Sequence, residues 1–278
     1  MAEVKKPKDL DFEHKHKKDL ESIRNFRLMD DNFMSKVFED KSCAECLLQV
    51  ILNRDDLAVR EVHGQHGLNN IQGRSVRLDI LAVDKENRVY NVEIQRSDSG
   101  AGAKRARYNS SLLDANMTDK GDAYDLLNET YVIFITENDV LRGGLSIYHI
   151  NRIIEETGKS FGDEAHIIYV NSQIKDETAL GKLMHDFTCT DPDDMNYPVL
   201  AQRVRYFKED TKGVATMCKA FEEAREEAAK EAAEKATREK AISVAQKLLK
   251  EGMPYEKIAD MVELPVEDVK ALDTKKPA

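Results

Sequence analysis

The sequence predicts a mixed α/β domain, followed by a long charged helix and a small helical tail. Three observations carry that expectation. Apolar runs of strand length alternate with helical patterns through most of the first two thirds of the chain. The stretch "RLDILAVDKENRVYNVEIQ" (77–95) reads as two arms around a polar turn. From residue 220 the composition shifts to Ala, Glu and Lys, with no Gly or Pro before Gly252.

The bulk properties bound the function. A chain of 278 residues, 41% hydrophobic, can bury a sizeable core, and 34% charged residues mark a water-exposed surface. A net charge of −10 argues against a passive nucleic-acid coat, so any such role needs a local basic patch or metal ions. No apolar run approaches the roughly 20 residues of a membrane span. The charged start "MAEVKKPKDLDFEHKHKKDLE" lacks the apolar core of a secretory signal, so a cytoplasmic setting is expected. "CAEC" (43–46) has no second pair at zinc spacing. Cys43, Cys46, Cys189 and Cys218 are therefore expected to be ordinary thiols. His63 and His66 in "HGQHG" lack companions for a ligand set and read as part of a loop running to Gly73.

In chain order, residues 1–27 form a charged N-terminal segment, loose or marginally helical. The main domain is expected over 28–210. Phe33, Val37, Leu47, Leu48 and Ile51 recur near helical spacing across 30–52, with Asp30 or Asp31 as a cap. "LAVREV" (57–62) is a short strand, and the two arms of 77–95 follow it. "AGAKRARYNSSLLDANM" (101–117) is a basic-faced helix, "KGDAY" a turn, and "TYVIFIT" (130–136) a strand covered on both faces. "SIYHI" and "HIIYVN" are further strands, and "TALGKLMHDF" a helix. Residues 211–251 form the long helix, a solvated spacer without large a/d residues, supported by pairs such as Glu226–Lys230 and Glu231–Lys235. Residues 252–278 form a helical hairpin anchored by Ile258, Met261, Val262, Val266, Val269 and Leu272.

The two arms carry the chemistry. If "DKENR" (84–88) is the turn, Leu78, Ile80 and Ala82 face Ile94, Val92 and Tyr90 on one wholly apolar face. On the other face Arg77, Asp79 and Leu81 oppose Gln95, Glu93 and Asn91. Asp79 and Glu93 then become cross-strand neighbours, and like charges there repel unless a proton or cation intervenes. A solvated sheet face would tolerate them. The alternative is a cradle of hard oxygens for Mg²⁺ or Mn²⁺. The basic helix holding Lys104, Arg105 and Arg107, candidates for phosphate contacts, favours the cradle, as does the acidic helix start at Asp30/Asp31. Tyr108 and Tyr124 read as packing residues.

The order α-β-β-β-α-β around Asp79…Glu93-x-Gln95 resembles the PD-(D/E)XK nuclease superfamily. Within it the chain is similar to the PD-(D/E)XK nuclease-family transposases, or recombination-promoting (Rpn-type) nucleases. The residues carrying the resemblance are "DDNFMSKVFEDK", "RLDILAVDKENRVYNVEIQ", "KRARYNSSLLD", "KGDAY" and "YVIFI", with a similar tail in "LLKEGMPYEKIADMVELPVEDVKAL". It implies a restriction-endonuclease-like mixed sheet flanked by helices. Asp79 and Glu93 would be metal ligands, joined by the Ile94 carbonyl and by Asp31 (Asp30 second), and Gln95 would stand in the place of the superfamily lysine. Ser35 departs from the pattern, since relatives tend to carry Phe there. The activity implied is Mg²⁺-dependent (or Mn²⁺- or Ca²⁺-dependent) hydrolysis of DNA phosphodiesters, linked to recombination or mobile elements. No small-molecule cofactor is expected, and a homodimer would suit a double-strand cut. A competing reading is a catalytically inactive nucleic-acid- or protein-binding module. A glycosidase is disfavoured by the absence of Trp and only 6% aromatic residues.

Overall fold

The computed structural model describes residues 17–68, 75–96, 100–121 and 123–273, and the chain divides into two compact units, Met1–Lys219 and Ala220–Ala278. Of the charged N-terminal segment, residues 1–16 lie outside the described residues, while 17–25 form helix α1.

The expected single helix over 30–52 is two: α2 (Asp31–Phe38) and α3 (Lys41–Leu52). Asp40 breaks the run, because its carboxylate caps α3 by accepting the N–H groups of Ser42 (3.0 Å) and Cys43 (3.2 Å). Strand β1 runs Val59–Leu68, so "HGQHG" is strand and not loop; residues 69–74 lie outside the described residues. Gly64 shows why the segment reads misleadingly. A Cβ there would meet Glu39 Cγ at 3.0 Å and the Ser35 carbonyl at 3.2 Å, so the glycine serves the close approach of α2.

Strands β2 (Val76–Asp84) and β3 (Val89–Gln95) form the expected hairpin, with Ile80 opposite Val92, Leu81 opposite Asn91 and Ala82 opposite Tyr90. Its turn is closed by Asp84, fully buried, which accepts from the Glu86 and Arg88 N–H groups (2.9 and 2.8 Å), the Tyr90 hydroxyl (2.7 Å) and the Arg88 guanidinium (3.2 Å). Helix α4 (Ala103–Met117) then leads to β4 (Thr130–Thr136), β5 (Ile147–Ile150), a small β6/β7 hairpin (Ile153–Ile154 and Lys159–Ser160) and β8 (Ala165–Asn171). The sheet order is β1-β2-β3-β4-β8-β5. β3, β4 and β8 are parallel, and the remaining pairings are antiparallel. This is the mixed sheet flanked by helices that the sequence predicts.

Both sheet faces are covered. Helix α4 packs Ala106, Leu112 and Leu113 with Leu81, Val83, Val89, Val132, Phe134 and Tyr169. The solvated-face alternative does not hold for β3, since Asn91 and Glu93 are both fully buried beneath α4, while Asp79 on β2 keeps partial exposure. On the opposite face Ile80, Ala82, Tyr90, Val92, Ile133 and Ile135 are buried, and α2 and α3 pack against the β1–β2 side. Tyr108 packs as expected, but Tyr124 is 85% exposed and packs on nothing large.

Helix α5 (Ala179–Thr188) was legible; α6 (Pro198–Glu209) was not. Its buried Leu200, Val204 and Phe207 are diluted by Gln, Arg and Lys. Lys208 on α6 donates to the carbonyls of Arg24 (3.0 Å), Phe26 (2.6 Å) and Thr190, gathering three chain segments on one ammonium. Lys208→Met removes all three bonds, that to Phe26 part-buried and the other two exposed, and should lower the unfolding free energy by about 1–3 kcal/mol, measurable by urea denaturation.

Helix α7 spans Thr211–Lys250, close to the long helix expected. Ion pairs along it include Lys230–Glu234 and Lys235–Glu239, both at 4.0 Å. Within the second unit, α8 (Tyr255–Val262) and α9 (Val266–Asp273) bury Ile258, Ala259 and Val269 against Ala245 of α7. Met261, expected as an anchor, is 58% exposed.

Candidate active site

The β2/β3 ladder runs from Val83–Val89 to Ile80–Val92. One step further, the Asp79 carboxylate itself accepts the Ile94 N–H through Oδ2 at 2.9 Å. A side chain has replaced a ladder carbonyl there, and Oδ1 is left uncommitted among the described residues. Extended backbone turns the N–H and C=O of one residue toward the same neighbour. The Ile94 carbonyl therefore faces the edge on which Asp79 lies, while the Gln95 carbonyl accepts from Glu137 N (3.0 Å) on the other edge.

Glu93 is the unusual group. It is fully buried, and its Oε2 accepts from Arg105 Nη2 of α4 at 2.7 Å. Its Oε1 is buried without a hydrogen bond of good geometry, although the Asn91 amide and the Asp79 main chain lie near enough to favour its charge. Burial pushes the Glu93 carboxyl well up, the Asp79 charge adds to that, and Arg105 opposes both. Asp79 is also raised, first by burial and then by Asp31; the Ile94 N–H, Arg105 and Arg77 pull it back. Asp31 is itself raised, mainly by burial.

A fully buried carboxylate with an orphaned oxygen, beside a partly exposed second acid, fits a hard divalent cation. The residues that could hold one are Asp79 and Glu93, with the Ile94 carbonyl on the same edge. Asp31 acts on Asp79 through its charge, but Asp31, Asp79 and Glu93 do not gather within 4.8 Å of one another. Asp30 is committed elsewhere, accepting from the Arg27 N–H and from Arg96 Nη1, both at 2.8 Å. The trio that does gather within 4.8 Å among the described residues is His185, Asp186 and Cys189. There Asp186 is already occupied, accepting from the N–H groups of Asn196 and Tyr197 (both 2.8 Å) and from the Asn196 amide (2.9 Å), so it reads as a loop cap.

Lys104, Arg105 and Arg107 line one open cleft of about 1060 Å³ with Arg77, Tyr108 and Ser75. Lys104 and Arg107 are exposed, and Arg105 turns inward to Glu93. A family model described as PD-(D/E)XK nuclease family transposase matches residues 46–251. The chain belongs to this family. No curated protein and no solved structure matches the chain. The PD-(D/E)XK match spans the hairpin, α4 and β4, and stops before the helical tail; the α2 stretch "DDNFMSKVFEDK" also lies outside it. PD-(D/E)XK nucleases generally use divalent metal ions, and the buried, unpaired Oε1 of Glu93 suits that chemistry.

Two features of this candidate site were missed in the sequence, the first being the pairing of Arg105, read there as a phosphate contact, with Glu93. Arg105 lies four residues before the buried Asn109, which places it at the border of the sheet-facing stripe of α4. Gly100 is the other. A Cβ there would lie 1.9 Å from Gln95 Oε1, and the Gly100 carbonyl accepts from Arg105 Nη1 at 2.9 Å. Gly100→Ala should swing the Gln95 amide aside, a movement a flexible side chain makes cheaply. The melting temperature should barely move while any cleavage activity falls about 10- to 100-fold, checked by parallel thermal melts and plasmid assays.

Proposed function

We propose that the chain is a metal-dependent DNA endonuclease that hydrolyses phosphodiester bonds and acts in recombination or on mobile elements. The observation that carries this reading is the fully buried Glu93 with one oxygen paired to Arg105 and the other orphaned beside Asp79. Such an arrangement costs the fold stability, and a cation between the two acids would offset that cost. Asp79 Oδ1, Glu93 Oε1 and the Ile94 carbonyl would hold Mg²⁺, Mn²⁺ or Ca²⁺, with Asp31 acting at longer range. When bound, that ion lowers the pKa of a water and offsets charge on the phosphate.

The remaining work belongs to the chain. The Gln95 side chain accepts from Arg105 Nη1 through Oε1 at 3.3 Å, which turns its amide N–H groups away to orient a water. Lys104 and Arg107 at the cleft attract the phosphate backbone in a protein whose net charge is −10. A homodimer would set two such sites against opposite strands. The reading places the enzyme in the cytoplasm, where its four free cysteines stay reduced. No helix among the described residues is long and apolar enough to cross a membrane.

The test is incubation of the full chain with supercoiled plasmid and Mg²⁺, Mn²⁺ or Ca²⁺, beside Asp79→Ala. Metal-dependent nicking or linearisation by the native protein alone supports the proposal. Cleavage that survives the substitution, or none with any ion, contradicts it, and retained DNA binding without cleavage would favour the binding-module reading.

A further inference from the structure

The site has a charge problem that its metal ligands do not solve. Asp79 accepts the Ile94 N–H one residue from the buried Glu93, so two acids share the site, and Gln95 beside them is neutral. An incoming phosphodiester is an anion, and its charge grows on the non-bridging oxygens as water adds. A cation fixed within reach of the phosphate would lower that barrier.

Arg105 meets the geometric requirement. Nη2 donates to Glu93 Oε2 at 2.7 Å, and Nη1 donates to the Gly100 carbonyl at 2.9 Å and to Gln95 Oε1 at 3.3 Å. The guanidinium carbon also lies 5.9 Å from the centre of the Phe134 ring. These contacts fix the plane of the group. A guanidinium carries five N–H donors, so the Nε–H and one Nη2–H stay available. The side chain is 39% exposed and lines the basic cleft. One planar group thus touches the metal-ligand carboxylate, the water-orienting amide and the space a phosphate would enter.

We propose that Arg105 is a catalytic residue, binding Glu93 through one edge and the scissile phosphate through the other. This rests on the nuclease reading above. Arg105 stays protonated throughout. The water oxygen bonds to phosphorus, one P–O ester bond breaks, the proton of the water leaves to solvent, and the departing oxygen takes a proton from solvent. Lysine would keep the charge at this position, but its three donors, without the planar five-donor fork, would leave none for the phosphate once Glu93, Gly100 and Gln95 were bound.

The test uses the full chain as native protein, Arg105→Ala and Arg105→Lys, with a labelled duplex and Mg²⁺. Arg105→Ala should lower kcat about 100-fold, while KM and the duplex Kd in EDTA change less than about threefold. Arg105→Lys should recover only part of that loss. Guanidinium chloride below denaturing concentrations should restore cleavage to Arg105→Ala and not to Asp79→Ala. Mn²⁺ binding, followed by electron paramagnetic resonance, should persist in Arg105→Ala, because Glu93 Oε1 and Asp79 are untouched. Native kcat in Arg105→Ala would overturn the proposal. So would loss of Mn²⁺ binding, which would reduce Arg105 to a scaffold for Glu93. A native protein that cuts nothing would instead remove the nuclease reading itself.

Discussion

Glu93→Gln should lose about 10³-fold in metal-dependent cleavage while the protein stays as stable as before or becomes more so. The activity loss follows from removing one negative oxygen ligand from the proposed ion, worth several kcal/mol at 1.36 kcal/mol per tenfold. The stability expectation follows from burial. Burial disfavours the charged form of Glu93, and Gln keeps its shape with no charge to bury. Arg105, half exposed, can return its freed edge to water. The sign with pH follows. A carboxyl whose folded pKa is raised keeps its proton in the folded state after the unfolded chain has lost it. Stability contributed by Glu93 is therefore present at low pH and is lost as pH rises from the ordinary carboxylate range through the folded pKa. Glu93→Gln should flatten that decline, as chemical denaturation at a series of pH values would show.

Asp84→Ala, at the other end of the same hairpin, should show the reverse signature. Asp84 is as buried as Glu93, but its oxygens are all used, by two backbone N–H groups, the Tyr90 hydroxyl and the Arg88 guanidinium. Removing it strands a buried hydroxyl at the core and opens the turn that sets the register. The expected loss is about 3–5 kcal/mol of unfolding free energy, read from denaturant midpoints. Any change in cleavage should track the folded fraction. Two buried acids on one hairpin are thus separated by partner count: the satisfied one holds the fold, and the one with an orphaned oxygen costs stability and serves the site.

That distinction was only half legible in the sequence. The register was readable because strand side chains alternate with period two, so only one pairing sorts Ile80, Ala82, Tyr90 and Val92 to a single face. The sequence therefore located Asp79 and Glu93 near each other before any coordinates. It could not show that α4 would cover their face, because the buried stripe of α4 includes Asn109 and Ser110, which a pattern reader scores as polar. Nor could it show Arg105 turned inward, since "KRARY" looks the same whether its cations meet phosphate or a carboxylate. Asp40 was hidden for another reason. A cap inside a continuous helical pattern changes no periodicity, only the local backbone. Strand β1 was cut short in the reading by glycines whose purpose, as at Gly64, is to admit a neighbouring helix.

The most direct measurement is an anomalous difference map from a crystal of the full chain soaked in Mn²⁺. A peak bonded to Asp79 and to Glu93 Oε1, with Arg105 still on Oε2, is the result expected. A peak at His185 and Cys189, or Asp79 and Glu93 side chains turned away from each other with no ion between them, would contradict the account.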